Sequence, residues 1–169
     1  MSSLRRNVLA SVLFTLFGGP SIVLFFVPWA ITRLRIPAGE PGAQRGAGAL
    51  LIALGLVPLF ESIARFVRVG RGSLVPTVPT ERLVVSGLYR YVRNPMYVGV
   101  LTALTGEALL FSSRSLLVEW AVVWLFFHLF VLLYEEPRLA STYPAAYALY
   151  RAHVRRWLPR FTPWRGARP

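Results

Sequence analysis

Residues 83–99 read Leu-Val-Val-Ser-Gly-Leu-Tyr-Arg-Tyr-Val-Arg-Asn-Pro-Met-Tyr-Val-Gly, a polar stretch rich in turn formers between long apolar segments. Ser86-Gly87 favours a turn. Asn94-Pro95 favours the start of a helix, because proline suits the first helical position and asparagine is a good N-cap. A helix N-terminus of this kind attracts anions. The tyrosines and arginines of the stretch either anchor a capped membrane helix at the lipid interface or bind a ligand.

The composition around this stretch is that of an integral membrane protein. Of the 169 residues, 55% are hydrophobic, and the mean hydropathy is +0.53, too apolar for a soluble domain of this size. All 19 basic residues are arginines, and they cluster between the apolar runs. This placement suits anionic lipid headgroups, so we expect a membrane and no nucleic acid as partner. With no cysteine, no aspartate and two histidines, no metal site is predicted.

The sequence predicts one all-α domain over residues 1–169, with four membrane spans at about 7–31, 46–67, 96–111 and 115–134. The first apolar run is too long for a signal peptide and lacks a cleavage site, and Gly18-Gly19-Pro20 predicts a kink in it. In the second, Glu61 and Arg65 lie four residues apart and are expected to pair. The short link after residue 111 predicts a helical hairpin.

Arginine distribution predicts the orientation, because short cytoplasmic loops carry excess positive charge. If the N-terminus is inside, 15 of the 19 arginines fall on the cytoplasmic side. Both termini, residues 83–99 and the tail 135–169 are then predicted to be cytoplasmic.

An amphipathic helix is predicted in the tail from Pro144 onward. Tyr143, Tyr147, Tyr150 and Val154 follow at helical spacing and form one aromatic and apolar face. This helix lies on the lipid headgroups, covers a binding site, or does both.

Glu135-Glu136 is predicted to end the fourth span, where two carboxylates oppose the helix dipole. We expect a cationic partner for them. One alternative is an arginine of this chain, namely Arg90, Arg93 or Arg138. The other is an ammonium, sulfonium or ribose group of a ligand.

Together these segments resemble the integral-membrane methyltransferases that include isoprenylcysteine carboxyl methyltransferase and the phospholipid N-methyltransferases. The resemblance covers residues 81–159. It rests on Leu-Val-x-Ser-Gly-x-Tyr at 83–89, Arg-Asn-Pro-x-Tyr-x-Gly at 93–99, Glu-Glu-x-x-Leu at 135–139 and Tyr-x-x-Tyr-x-x-x-Val at 147–154. It implies methyl transfer from S-adenosylmethionine to a lipophilic or membrane-associated substrate, with the cofactor bound at the cytoplasmic face without a Rossmann fold.

The resemblance also implies a set of cofactor-binding residues. Matched position by position, they are Glu81, Arg82, Leu83, Val84, Tyr89, Arg93, Asn94, Pro95, Met96, Tyr97, Gly99, Glu135 and Glu136. Two positions depart from the family pattern. Asn94 replaces the usual histidine, which keeps hydrogen-bonding capacity and removes proton transfer. Val131 stands where the isoprenylcysteine enzymes carry an arginine, which puts a carboxylate substrate in doubt.

Methyl transfer from a sulfonium requires mainly alignment and exclusion of water, and no metal. If the nucleophile must lose a proton, the candidate bases are His128 and Glu119 in the fourth span and Glu107 in the third. The alternative for His128 is an interhelical hydrogen bond.

The methyl acceptor stays open among a phospholipid amine, a prenylated thiol or carboxylate, a small thiol and a quinone-like hydroxyl. The competing function is a non-catalytic membrane scaffold or transport accessory that retains the fold. The sequence does not predict the oligomeric state.

Overall fold

The structure, a computed structural model, describes residues 19–38, 41–68 and 83–166. All regular elements in these ranges are helical, which confirms the all-α class. There are five helices in them: α1 (Gly19–Thr32), α2 (Gly42–Arg68), α3 (Pro95–Leu110), α4 (Arg114–Thr142) and α5 (Pro144–His153). A 3₁₀ turn, Gly87–Arg90, precedes α3.

Two of these helices are long and apolar enough to cross a membrane: Gly42–Arg65 within α2, and α4. Their 24 and 29 residues exceed the roughly 20 needed to span a hydrocarbon core. Helices α1 and α3 are apolar but shorter. The predicted first span, 7–31, and the predicted kink lie partly outside the described residues. The count of four spans and their orientation stay predictions.

Helix α4 is longer than predicted. It continues through Glu135-Glu136-Pro137 to Thr142, so the two carboxylates lie inside a helix and not at its C-terminus. Proline cannot donate to the carbonyl four residues earlier, and its ring collides with that carbonyl. A π-helical turn, Val131–Glu135, ends two residues before Pro137 and widens the helix there. In α1, the π turn Ile22–Phe26 likewise ends two residues before a proline, Pro28.

Glycines let the backbones of α2 and α3 touch. A Cβ added at Gly55 would lie 2.5 Å from the Gly99 carbonyl oxygen, and one at Gly106 would lie 2.5 Å from the Gly48 carbonyl oxygen. Small residues at such contacts are typical of helix pairs in membranes, where close approach replaces the hydrophobic driving force.

Apolar side chains point both inward and outward from this helix pair. Leu59, Val100 and Leu104 form a buried cluster against which Trp120 and Phe127 of α4 pack. The outer surfaces carry further large apolar side chains, exposed along α2 at Leu50, Leu54, Val57 and Phe60 and along α4 at Val118, Val122, Phe126 and Leu133. A soluble domain rarely exposes so continuous an apolar surface, and lipid is its natural cover. The chain is a membrane protein.

Helix α5 begins at Pro144 as predicted, but its aromatic face is covered by protein. Tyr147, Tyr150 and Val154 are buried, and Leu83, Val85, Leu139, Tyr143 and Trp164 pack against them. This corrects the alternative in which that face lies on lipid headgroups. The helix instead covers the start of residues 83–99.

Candidate functional site

The C-terminal segment after α5 is bonded along the backbone to the polar stretch that precedes α3. Three hydrogen bonds of 2.9 Å join them: Arg93 N to Arg155 O, Arg160 N to Tyr91 O, and Trp164 N to Arg90 O. The Tyr150 hydroxyl adds a fourth by donating to Tyr89 O at 2.7 Å. The tail therefore fixes the conformation of residues 89–93.

Gly87 turns the chain toward Tyr89. Its φ of 54° lies in the left-handed region, and an added Cβ would collide with the Arg65 guanidinium and the Glu61 carboxylate. Arg65 and Glu61 form the predicted ion pair, and Arg65 Nη1 donates to Ser86 Oγ at 3.1 Å. Tyr89 lies within the 3₁₀ turn that Gly87 begins and is buried, and burial raises the pKa of its hydroxyl.

Asn94 occupies the N-cap position of α3 but its side chain makes no capping hydrogen bond, which corrects the prediction for it. Its Nδ2 donates instead to Arg156 O at 3.1 Å. The competing partner lies in the tail, 62 residues away, where no local pattern would indicate it. Pro95 follows as the first helical residue, as predicted. The amides of the first turn are thus not capped by Asn94.

Tyr97 and Glu135 lie in the two motifs that the resemblance assigns to the cofactor, and the structure brings them into contact. The Tyr97 hydroxyl donates to Glu135 Oε1 at 2.5 Å. The Tyr97 ring stacks on Phe127, with centroids 4.4 Å apart and an interplanar angle of 28°. Phe127 is one of the α4 residues that pack against the buried cluster of α2 and α3. Helix packing therefore fixes the ring, and the ring positions the hydroxyl on the carboxylate.

Glu136 has a separate set of partners. Arg93 Nη2 donates to Glu136 Oε1 at 3.0 Å, and Arg156 donates from Nε to Oε1 at 2.6 Å and from Nη2 to Oε2 at 2.9 Å. The side chains of Glu136 and Arg93 are 10% and 9% exposed. The bond to Glu136 raises the pKa of Arg156. This bidentate, largely desolvated cluster is much stronger than a surface pair.

The alternative of an arginine partner is thus correct for Glu136 with Arg93. Arg90 and Arg138 do not fill that role, since Arg90 Nε donates to Trp164 O and Arg138 Nη1 to the Tyr134 hydroxyl. Arg156 was missed, because nothing in the Arg-Arg-Trp run distinguishes it from its neighbour in sequence.

The two adjacent carboxylates therefore differ in kind. Glu136 is neutralised by two arginines, whereas Glu135 has no arginine partner within the described ranges and is bonded to a neutral hydroxyl. A carboxylate of this sort can accept a cation or the hydroxyls of a ligand.

The remaining predicted binding residues divide by location. Glu81 and Arg82 lie outside the described residues. Leu83 packs on the α5 cluster, Val84 and Pro95 are buried, and Met96 packs on the buried cluster of α2 and α3. Gly99 lies against Gly55, where its lack of a side chain serves helix packing.

Two of the three candidate bases are remote from Glu135. At about 1.5 Å per residue, Glu107 lies about 18 Å along α3 from Pro95, and Glu119 about 24 Å along α4 from Glu135. Both belong to the opposite end of the α3–α4 hairpin.

The third candidate base, His128, is nearer to Glu135 and is bonded to the tail. Its Nδ1 accepts from Trp157 Nε1 at 3.3 Å, and its ring stacks on Trp124. Both tryptophans line a groove of about 230 Å³ between α3 and α4, whose other lining residues are Val98, Leu101, Thr102, Thr105 and Trp120. A groove of this lining can take an apolar chain.

A family model described as phospholipid methyltransferase matches residues 43–146, which is more than half of the chain. The matched region contains all but the first residue of α2, the whole of α3, and Glu135-Glu136. It ends before Arg156 and Trp157. No curated protein and no solved structure matches the chain.

Proposed function

Since the chain belongs to the phospholipid methyltransferase family, we propose that it transfers a methyl group from S-adenosylmethionine to a lipophilic substrate at the cytoplasmic face of the membrane. Membership confirms the resemblance seen in the motifs and supports a membrane methyltransferase. The cofactor, the acceptor and the membrane face belong to the proposal.

The contact between Tyr97 and Glu135 is the observation that carries the proposal. Because of this contact, the Glu135 carboxylate lies beside the first turn of α3. Within the described part of the chain, this carboxylate has no arginine partner. The neighbouring carboxylate is already neutralised by Arg93 and Arg156. A positively charged ligand would therefore be attracted to Glu135.

The chemistry of these residues fits S-adenosylmethionine. Glu135 can accept its ammonium or hydroxyl groups or lie beside its sulfonium, and the first-turn amides of α3 can donate to its carboxylate. When bound, the cofactor supplies an activated methyl group on a positively charged sulfur. Tyr97 holds the Glu135 carboxylate in place, and the Arg93, Glu136 and Arg156 cluster holds α4 against the tail.

The acceptor is proposed to place an apolar chain in the tryptophan-lined groove between α3 and α4. His128 lies beside that groove, but its Nδ1 already accepts the Trp157 indole hydrogen, so a neutral ring carries its proton on Nε2. A phospholipid amine is the acceptor that agrees with the family and with Val131.

Calorimetric titration of the protein in detergent with S-adenosylmethionine tests the cofactor. We expect wild type to bind and Glu135→Gln to bind about tenfold or more weakly, because a hydrogen bond to a charged group contributes about 1.5–3 kcal/mol. Glu119→Gln makes the same substitution at the far end of α4 and should bind like wild type. No binding by wild type would overturn the proposal.

Incubation of membranes with cofactor carrying a labelled methyl group tests the acceptor. Label should enter the lipid extract of membranes that contain wild type, and at subsaturating cofactor much less should enter that of membranes that contain Glu135→Gln. Cofactor binding without any labelled product would favour the non-catalytic scaffold instead.

A further inference from the structure

A basic groove lies between the end of α5 and the segment that follows it. It encloses about 610 Å³, and its lining includes Arg93, Arg151, Arg155 and Arg160 together with His153 and Phe161. None of its lining residues is acidic. Of these residues, only Arg93 belongs to the predicted cofactor set. The groove is therefore largely separate from the candidate cofactor site, although it lies at the same end of the molecule.

Arg93 supplies the buried wall of this groove. Its side chain is 9% exposed, and Nη2 donates to Glu136. Nε and Nη1 are also buried, yet they have no hydrogen-bond partner among the residues that the structure describes. The guanidinium lies over the Tyr147 ring, with Cζ 6.0 Å from the ring centroid. Its positive charge at the wall of the groove favours an anion there, and an anion with several oxygens can bond the more exposed arginines of the lining.

The other arginines are arranged for the same ligand. Arg160 is oriented by a 2.6 Å hydrogen bond from Nη1 to His153 O, while Arg151 and Arg155 are exposed at the groove. Several guanidinium groups around one cavity suit a phosphate group better than a single carboxylate, because phosphate presents three or four acceptor oxygens.

The rim of the groove is apolar on one side. Phe161, which lines the groove and follows Arg160, is fully exposed, and Leu158, two residues before Arg160, is 64% exposed. Exposed apolar side chains beside arginines are typical of surfaces that meet the headgroup region of a bilayer.

We propose that this groove binds a phosphate group, with an anionic lipid headgroup as its source. The phosphate lies among Arg151, Arg155 and Arg160 against Arg93, and Leu158 and Phe161 contact the lipid next to it. This binding needs no cofactor and no methyl transfer, so its failure and that of the proposed function are separate results.

Native mass spectrometry of the detergent-solubilised protein tests this, with dioctanoyl phosphatidylglycerol, dioctanoyl phosphatidylcholine and inorganic phosphate as probes. We expect phosphatidylglycerol to bind best, and R151Q/R155Q to weaken it roughly thirty-fold, since each basic residue contributes about fivefold. The control R138Q/R165Q removes the same charge at the same end of the molecule but outside the groove, and should change binding little.

The remaining outcomes are decisive in either direction. Equal losses in both double variants, or equal binding of the two lipids, would overturn the proposal in favour of general surface charge. Inorganic phosphate that binds as tightly as the lipid, with the same dependence on Arg151 and Arg155, would support the phosphate site and overturn the lipid source. Displacement of the bound lipid by S-adenosylhomocysteine would overturn the proposal, because the groove would then belong to the cofactor site.

Discussion

Tyr97 combines two functions that a single substitution can separate. Its ring packs on Phe127, and its hydroxyl positions the Glu135 carboxylate. Tyr97→Phe keeps the ring and removes the hydrogen bond. We expect a loss of about tenfold in affinity for S-adenosylmethionine with little change in melting temperature, since the lost bond is to a charged group. Calorimetric titration measures the first and thermal unfolding in detergent the second.

Tyr134→Phe is the matched control for this substitution. It removes a hydroxyl from an exposed tyrosine of the same helix, one that accepts from Arg138. Unchanged cofactor affinity in Tyr97→Phe, or an equal loss in the control, would contradict the role assigned to the Tyr97 hydroxyl.

We expect Glu136 to contribute to the stability of the fold, and Glu135 to contribute to cofactor binding. Glu136→Gln leaves Arg93 and Arg156 without their carboxylate in a cluster that is largely buried. Breaking one side of a buried ion pair costs about 3 kcal/mol or more, so the melting temperature should fall by several degrees. Glu135→Gln should melt close to wild type. The reverse order of melting temperatures would show that the two carboxylates have been assigned the wrong roles.

At the scale of the helices, the interface of α2 and α3 depends on glycines that carry no side chain. Gly55→Ala would place a Cβ 2.5 Å from backbone atoms of Gly99 and Ala103, which the two helices can relieve only by moving apart. We expect destabilisation of about 1–3 kcal/mol, the range for overpacked sites. Gly46→Ala, in open space on the same helix, should be neutral or stabilise by up to about 1 kcal/mol. Equal thermal unfolding of the two variants would contradict this interface.

Helix α4 shows which parts of an element can be predicted from its sequence and which cannot. Its apolar run was predicted, because hydropathy reports a local property. Its end was placed eight residues too early, because two carboxylates and a proline normally stop a membrane helix. The helix continues because a π turn accommodates Pro137 and because Arg93 and Arg156 neutralise Glu136. Neither feature is visible in a local pattern.

The same limit applies to the site as a whole. The resemblance assigns Tyr97 and Glu135 to one cofactor site, and the structure joins the two side chains by a hydrogen bond. Arg156 bonds both Asn94, through its carbonyl oxygen, and Glu136, through its guanidinium. It is remote in sequence from both residues. Such partners depend on how the tail folds back over residues 89–93, and residue spacing contains no information about that path.

The orientation of the whole molecule can be tested on α4 alone. Ser115 and Ser141 are exposed near its two ends and about 39 Å apart along the axis, more than the roughly 30 Å of a hydrocarbon core. Because the chain has no cysteine, Ser115→Cys and Ser141→Cys each introduce a single thiol, and the unsubstituted chain is the control. The arginine distribution predicts that an impermeant maleimide added to intact cells labels only Ser115→Cys, and that inside-out vesicles show the reverse. Labelling of both positions from one side would mean that α4 does not cross the membrane, and a reversed pattern would place Glu135 and the tail on the outer face.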